Sequence, residues 1–505
     1  MAELSAIIVG AGFSGLAAGI GLKRAGIDDF VILEQGPGVG GTWRDNTYPG
    51  AACDIPSHLY SYSFEPSSRW QRAYGGQAEI LAYIEHCATK YGLRPHLRFA
   101  SRVVRCVYDE PSATWTVSTD DGQTRTARAL VLGNGALHIP QIPALPGLDT
   151  FAGTTFHSAR WNHAYDLTGK RAAVIGTGAS TIQFVPQIAP NVERLDVFQR
   201  TPPWIMPKPD RAIRARERWM LEHVPGAHWL RRTGLYWMFE SRVLGFVFAP
   251  RLNQLGEKLA LRYLERAVPD PALRRRLTPD YRLGCKRVLI SNDYYAALGR
   301  PNVELVTDGI AAIEPAGIRT TNGELHEVDA IIFGTGFRVV DYLASMQIIG
   351  RDGQDLNAVW SKSVRNYLGI NVSGFPNLFL LMGPNTGLGH NSMVFMIEAQ
   401  AHYLVEAMKA MRRNKLASLE VRPEVEQAFR AELTKKLEHS VWTSGCSSWY
   451  MAPDGEVLLW PGFTFDYWRR TRRVQLARYE ARALAHTVSP PLSGSELTSA
   501  IAATR

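Results

Sequence analysis

The stretch Ala6-Ile7-Ile8-Val9-Gly10-Ala11-Gly12-Phe13-Ser14-Gly15 decides the fold. Ala6 to Val9 is a short apolar run, the glycines follow as G-x-G-x-x-G, and Leu16, Ala17, Ile20, Leu22 and Lys23 then read as an amphipathic helix. The order is strand, tight turn, helix. Gly10 permits the turn, Gly12 lets the backbone approach a pyrophosphate, and Gly15 lets helix and strand pack closely, so that the helix N-terminus faces the anion. With 44 glycines in 505 residues this spacing arises by accident in roughly a third of such chains. Gly36-Pro37-Gly38-Val39-Gly40-Gly41 matches it too, but contains Pro37 and leads into Trp43 rather than a helix. Only the first match has its context: Phe30 to Leu33 reads as the next strand, and Glu34 ends it 22 positions after Gly12, where a carboxylate can accept hydrogen bonds from a ribose.

A second unit of the same kind starts at Arg171. Ala172 to Ile175 is strand-like and Gly176-Thr177-Gly178-Ala179-Ser180-Thr181 follows, with Thr181 where a third Gly or Ala is usual. Its next strand, Leu195 to Phe198, ends in Gln199-Arg200-Thr201. A carboxylate there would repel a 2′-phosphate, whereas Arg200 and the Thr201 hydroxyl would bind one, which favours NADP over NAD. One acid-tipped and one arginine-tipped unit imply FAD in the first and NADPH in the second. Leu132-Gly133-Asn134-Gly135 and Phe333-Gly334-Thr335-Gly336-Phe337 are paired strand-then-glycine segments flanking the second unit, and read as crossing points between domains.

Composition agrees with a large globular enzyme. The chain is 46% apolar and 20% charged, which excludes disordered and collagen-like classes, and its length corresponds to roughly three units of about 150 residues. The net charge of +9 suits anionic ligands, and Arg200 with Lys286 explains part of it by a nucleotide phosphate rather than by nucleic acid. Cys53, Cys87, Cys106, Cys285 and Cys446 are widely spaced with no C-x-x-C pair, so neither a metal ribbon nor a redox pair is expected, and a reducing, cytoplasmic setting fits. Tyr236 to Pro250, the most apolar later stretch, carries Glu240 and Arg242 and is shorter than the ~20 residues of a membrane span.

At Phe151-x-Gly153-x-x-x-His157-x-x-x-Trp161 the chain resembles the Baeyer-Villiger monooxygenases of the class B flavoprotein family. The residue frequencies of this chain put an accidental match at about one per thousand such chains. Trp161 favours this branch over the N- and S-oxygenating flavin monooxygenases, while Asn162 departs from the usual Pro or Asp. The resemblance runs from Gly10 to Phe463. Gly40-Gly41-Thr42-Trp43, with Tyr48-Pro49-Gly50 and Asp54, is similar to a family loop close to the flavin, with Ala52 where many members carry Arg. In Cys285-Lys286-Arg287 the resemblance implies a lysine that meets the NADP 2′-phosphate and an arginine beside the flavin. Gly383-Pro384-Asn385 resembles a flavin-facing turn, and Cys446-Ser447-Ser448-Trp449-Tyr450 a substrate loop with Trp449 as its gate.

What the resemblance implies is an α/β fold of two Rossmann-like domains, binding FAD and NADPH, that inserts one oxygen atom of O2 beside a ketone carbonyl by way of a C4a-peroxyflavin. Arg287 and Asp54 are then the catalytic pair. Gly10, Gly12, Phe13, Ser14, Gly15, Glu34, Gly41, Thr42, Trp43, Asp54, Tyr60, Gly176, Gly178, Ala179, Ser180, Gln183, Arg200, Thr201, Lys286 and Asn385 are the expected cofactor residues. His157 reads as a core or hinge residue. The expected partners are a small-molecule ketone and O2. An N- or S-oxygenating monooxygenase and an NADPH-flavin reductase or oxidase remain as alternatives. The expected division is 1–148 with 334–505 for FAD, 149–204 with 283–333 for NADPH, and an Arg- and aromatic-rich helical insertion at 205–282. Its periodic stretches are Arg211 to Leu221, Trp229 to Phe248 and Leu255 to Ala267, and its aromatics fit a substrate route, a membrane surface or a packed core. The tail after Phe463 reads as a helix and then a loose end.

Overall fold

A computed structural model describes residues 4–484 apart from 340–342, 344, 447, 449, 453 and 454. Strand Leu4–Val9 lies parallel between Phe30–Leu33 and Thr124–Leu132, with Val9 level with Leu33 and with Leu132. Both faces of these strands are buried, one against helices Phe13–Arg24 and Met393–Arg413 and the other largely against the antiparallel strands named below, so they are runs of Ile, Val and Leu rather than alternating sequences. The shared register ends all three strands at one edge, which sets Gly10, Glu34 and Gly133 side by side. Leu378–Leu380 and Leu97–Arg98 add parallel strands, and Val103–Asp109 with Thr114–Thr119 extends the sheet as an antiparallel meander.

The second sheet is wholly parallel, in the order Val303–Val306, Arg194–Phe198, Arg171–Ile175, Ala330–Phe333, Thr154–His157. Ile175 is level with Phe198 and Phe333, so Gly176, Gln199 and Gly334 are neighbours at its edge. The chain thus has two α/β nucleotide-fold units. The segments between them run antiparallel: the Gln141 N–H donates to the Gly336 carbonyl at 2.9 Å, and the Arg338 N–H to the Ile139 carbonyl at 3.0 Å.

Between Ile205–Met206 and its partner strand Leu289–Ile290 stand four helices, Ala215–His223, Ala227–Glu240, Asn253–Ala267 and Pro271–Arg276. The helix expected to run through Phe248 instead ends at Glu240. There the buried Glu240 carboxylate takes the Thr464 N–H at 2.5 Å and the Asn391 amide at 2.6 Å, and 244–248 forms a separate wide turn. After the helix Thr464–Arg470, strand Tyr479–Ala483 pairs with Leu416–Val421, so the tail is fastened further than the sequence indicates. No helix among the described residues is long and apolar enough to cross a membrane.

Candidate active site

Both strand edges open onto one cavity of about 1160 Å³, lined from Gly10 and Gly12 at one end to Arg200 and Lys286 at the other. Its volume exceeds the usual range for one drug-sized ligand. At the first turn Gly10 has φ +96°, and a Cβ on Gly15 would lie 1.8 Å from the Gly10 carbonyl, so Gly15 serves helix packing and does not line the cavity. A Cβ on Gly12 would meet nothing nearer than 3.7 Å, which leaves open space over the start of helix Phe13–Arg24. Phe13 and Ser14 also line it.

Glu34 accepts from Ala11 N–H at 2.8 Å, Gly36 N–H at 2.7 Å and the Arg44 guanidinium at 2.8 Å. A carboxylate offers about four acceptor sites, so three are filled and capacity for a ribose hydroxyl remains. The second glycine match lies against the first, with the Gly40 N–H donating to the Ala11 carbonyl at 2.9 Å. Contrary to the sequence reading, one helical turn, Thr42–Asp45, follows it. Trp43 donates from Nε1 to the Tyr60 hydroxyl at 3.1 Å, and Tyr60 packs edge-on to Phe13, so Gly41, Thr42, Trp43 and Tyr60 form one wall.

In the second turn, Gly176, Gly178, Ala179, Ser180 and Thr201 line the same cavity. Thr181 is fully buried where a small residue is usual, and the room comes from across the sheet edge: a Cβ on Gly334 would lie 2.0 Å from Thr181 Oγ1. Arg200 and Lys286 make no ion pair among the described residues. Burial, and then the nearby Arg200 charge, hold the Lys286 pKa below its ordinary value. Asp280 offsets part of that lowering without forming an ion pair, and two cations close enough to oppose each other form a site for a polyanion.

Arg287 and Asp54, 233 residues apart, meet on the cavity wall. Arg287 Nε donates to Asp54 Oδ2 at 2.7 Å and Nη2 to Oδ1 at 2.8 Å, a bidentate pair that fixes the guanidinium plane. The Asp54 carboxylate raises the Arg287 pKa, and this outweighs the lowering by burial. Tyr450, which the sequence reading did not single out, stands beside Arg287. Its phenol is pushed up by burial and eased down by that charge. Trp449 lies outside the described residues.

Two sequence expectations change, and Gln183 gains a second role. The Asn385 side chain does not line the cavity: it accepts from Asn366 Nδ2 at 2.9 Å and donates to the Val457 carbonyl at 3.2 Å, while Gly383, Pro384 and Thr386 present the turn. Gln183 lines the cavity as expected, and its amide also takes the Tyr48 hydroxyl at 2.9 Å and donates to the Ala52 carbonyl at 3.0 Å, which ties the 48–52 loop to the second unit. The cysteines, expected to offer no C-x-x-C redox pair and to sit in a reducing setting, include a disulfide between Cys285 and Cys446, 161 residues apart, while Cys53, Cys87 and Cys106 are free and buried. It joins the residue before Lys286 to the head of the 446–450 segment.

His157 is buried. Its Nδ1 accepts from Ala159 N–H at 3.1 Å, its ring packs edge-on to Phe337, and burial lowers its pKa to about 4. Trp161 packs between Phe156 and Phe184. His157 thus joins the second unit to the crossing segment at Phe337, whereas Trp161 packs within that unit. Trp229, Trp237 and Phe248 do not line the cavity. The one group of possible metal ligands among the described residues, Asp196, Glu304 and His326, closes around the Arg194 guanidinium, which donates to both carboxylates.

A family model described as pyridine nucleotide-disulphide oxidoreductase matches residues 7–225. A protein of Pseudomonas aeruginosa named Baeyer-Villiger monooxygenase is 49% identical over 489 residues, 96% of this chain and 92% of its own. Among solved structures, an oxidized steroid monooxygenase bound to NADP superposes with a TM-score of 0.86 at 32% identity, over 96% of this chain and all of its own. OTEMO in complex with FAD and NADP gives 0.87 at 27% identity, over 95% of this chain and 99% of its own.

Proposed function

The chain belongs to the Baeyer-Villiger monooxygenases, and from that premise we propose how its own residues carry the reaction of a flavin-dependent, NADPH-consuming monooxygenase. Both cofactors fit the residues present. Open space at Gly12, a carboxylate at Glu34 with acceptor capacity left, and an Arg200–Lys286 couple with no ion pair among the described residues are the features two dinucleotides need. When bound, NADPH supplies hydride and FAD supplies the activation of O2.

We assign residues 1–148 with 334–505 to FAD, 149–204 with 283–333 to NADPH, and 205–282 to a helical insertion. Gly10, Gly12, Phe13, Ser14, Glu34, Gly41, Thr42, Trp43 and Tyr60 would hold FAD. Gly176, Gly178, Ala179, Ser180, Gln183 and Thr201 would hold NADPH, with Arg200 and Lys286 on its 2′-phosphate. Arg287 keeps its proton at any working pH and offers fixed donors to negative charge that develops on oxygen. Asp54 holds that plane and tunes its field. The apolar walls exclude water, where a fixed charge acts more strongly than in solvent. The organic substrate is a small-molecule ketone, the product an ester or lactone, and the setting cytoplasmic, where reducing conditions would keep Cys285 and Cys446 as a dithiol.

The observation that carries the reading is the bidentate Arg287–Asp54 pair on the wall shared by both cradles. The test is Arg287→Ala. NADPH still bleaches the bound flavin, while a ketone panel yields no product heavier by one oxygen atom. Ester formation at the unmodified level in that variant refutes the role given to Arg287.

A further inference from the structure

The helical segment 205–282 presents to solvent what a nucleotide domain normally hides. Along Ala227–Glu240 the outward row is Trp229, Leu230, Trp237 and Met238, and the chain continues through Leu244, Phe248, Leu252 and Leu255 without covering them. Trp229 is 69% exposed, Leu255 66% and Phe248 58%. The surface extends onto the C-terminal helix, because Glu240 holds the Thr464 N–H, Phe248 stacks on Phe463, and the exposed Phe465 stacks on Trp468. Scattered apolar residues on a surface are ordinary, but an adjoining series with three tryptophans marks a contact surface.

Charge chooses the partner. Residues 205–282 hold sixteen Lys and Arg against eight Asp and Glu, a surplus of eight in a chain whose whole net charge is +9. On Asn253–Ala267 the exposed row alternates the two chemistries, Leu255, Lys258, Leu259, Arg262 and Arg266, and Arg472 lies 4.5 Å over the Trp468 ring. A second cavity, of about 970 Å³, opens between Trp229 and Trp468, with Arg24, Lys409 and Arg472 among its lining cations and Arg232 facing Glu398. Two copies pressed together through this face would set like charges against each other. Aromatic and aliphatic side chains interleaved with basic ones suit a boundary that is apolar beneath and anionic above.

We propose that this face docks the enzyme peripherally on an anionic lipid bilayer, the Trp and Leu side chains entering the headgroup boundary and the basic residues meeting lipid phosphates. The segment lies on the membrane and does not span it. This inference does not depend on the assignment of the catalytic residues.

The flavin-loaded full chain is floated with vesicles of phosphatidylcholine, alone or with about 40 mol % phosphatidylglycerol, at low salt and at about 0.5 M salt. The bound fraction rises about tenfold or more with phosphatidylglycerol and falls back in high salt. Trp229→Ser/Leu230→Ser/Trp237→Ser lowers binding about tenfold while its NADPH oxidation with a water-soluble ketone is unchanged. Lys258→Glu/Arg262→Glu/Arg266→Glu does the same by charge alone, and carries the test if the apolar variant loses its flavin. Equal binding by both variants and the unmodified protein, or no preference for anionic vesicles, overturns the proposal. So does sedimentation showing a dimer that the apolar variant dissolves, because the occupant is then a second copy.

Discussion

Gly334→Ala is a small change with a large expected effect. The new methyl would lie 2.0 Å from Thr181 Oγ1 and 3.4 Å from Thr181 Cβ, while the Ile175 carbonyl, at 3.5 Å, is in ordinary contact. The conflict is therefore with one atom, about 1.4 Å inside a comfortable distance. Thr181 is fully buried and stiff at its β-branched carbon, so its side chain has little room to turn away and the strain passes to the backbone of the 176–180 turn. Overpacking of this kind costs about 1–3 kcal/mol, or a few degrees of Tm for a unit of this size. Because the turn lines the end of the cavity proposed for NADPH, the KM for NADPH should rise as well. Thr181→Ala removes the conflicting atom, so the double variant should recover most of the loss, with a coupling of at least about 1 kcal/mol. Thermal unfolding and NADPH titration of the four proteins decide the matter. Purely additive effects would refute the steric account.

Arg200→Ala should raise the KM for NADPH by roughly 10- to 100-fold, the value of a charge-assisted phosphate contact, and leave that for NADH nearly unchanged; equal effects remove the argument for a 2′-phosphate site. Protein purified in air and unfolded without reductant should titrate three thiols, rising to five after dithiothreitol, if Cys285 and Cys446 are paired as the structure has them; five thiols before reduction would show the pair open. His58 and His157 are both lowered to about 4, chiefly by burial. The unfolded chain takes up those protons first, so stability present above about pH 6.5 is lost as the pH falls towards 4, by up to roughly 3 kcal/mol per group. His157→Gln should flatten part of that slope in a pH series of Tm values, and an unchanged slope would show that His157 does not contribute.

What was legible in the sequence was local. Apolar runs at Ala6–Val9 and Ala172–Ile175, each followed by glycines, set the strands, the turns and the helix starts, because those depend on neighbours within about ten residues. Glu34 and Arg200 could be placed because a parallel register makes the end of the next strand adjacent to the turn. The helix end at Glu240 was missed because the aromatic pattern continues unbroken, and only the distant Thr464 and Asn391 turn that carboxylate inward. The cysteine pair was missed for a similar reason: spacing arguments detect short motifs, and 161 residues carry no such pattern. For Asn385 the family turn was read at its most polar residue, whereas the left-handed backbone there, φ +63°, sends the side chain away and leaves the neighbouring glycine and proline at the cavity.

The motif with the most specific sequence pattern does not touch the reacting end of the site. His157 packs on Phe337 in one crossing segment, and Trp161 packs on Phe184, one residue from the Gln183 whose amide holds Tyr48 and Ala52 of the other unit. Asp54 follows that loop by two residues, and Arg287 comes from the second unit's side. On the division proposed above, a displacement of one unit against the other would act on the Arg287–Asp54 geometry, since its two halves would ride on different units. A charge with the role proposed for Arg287, placed across such a join, would need rigid fastening more than extra contacts of its own, because misplacement by about 1 Å can cost on the order of a hundredfold in rate.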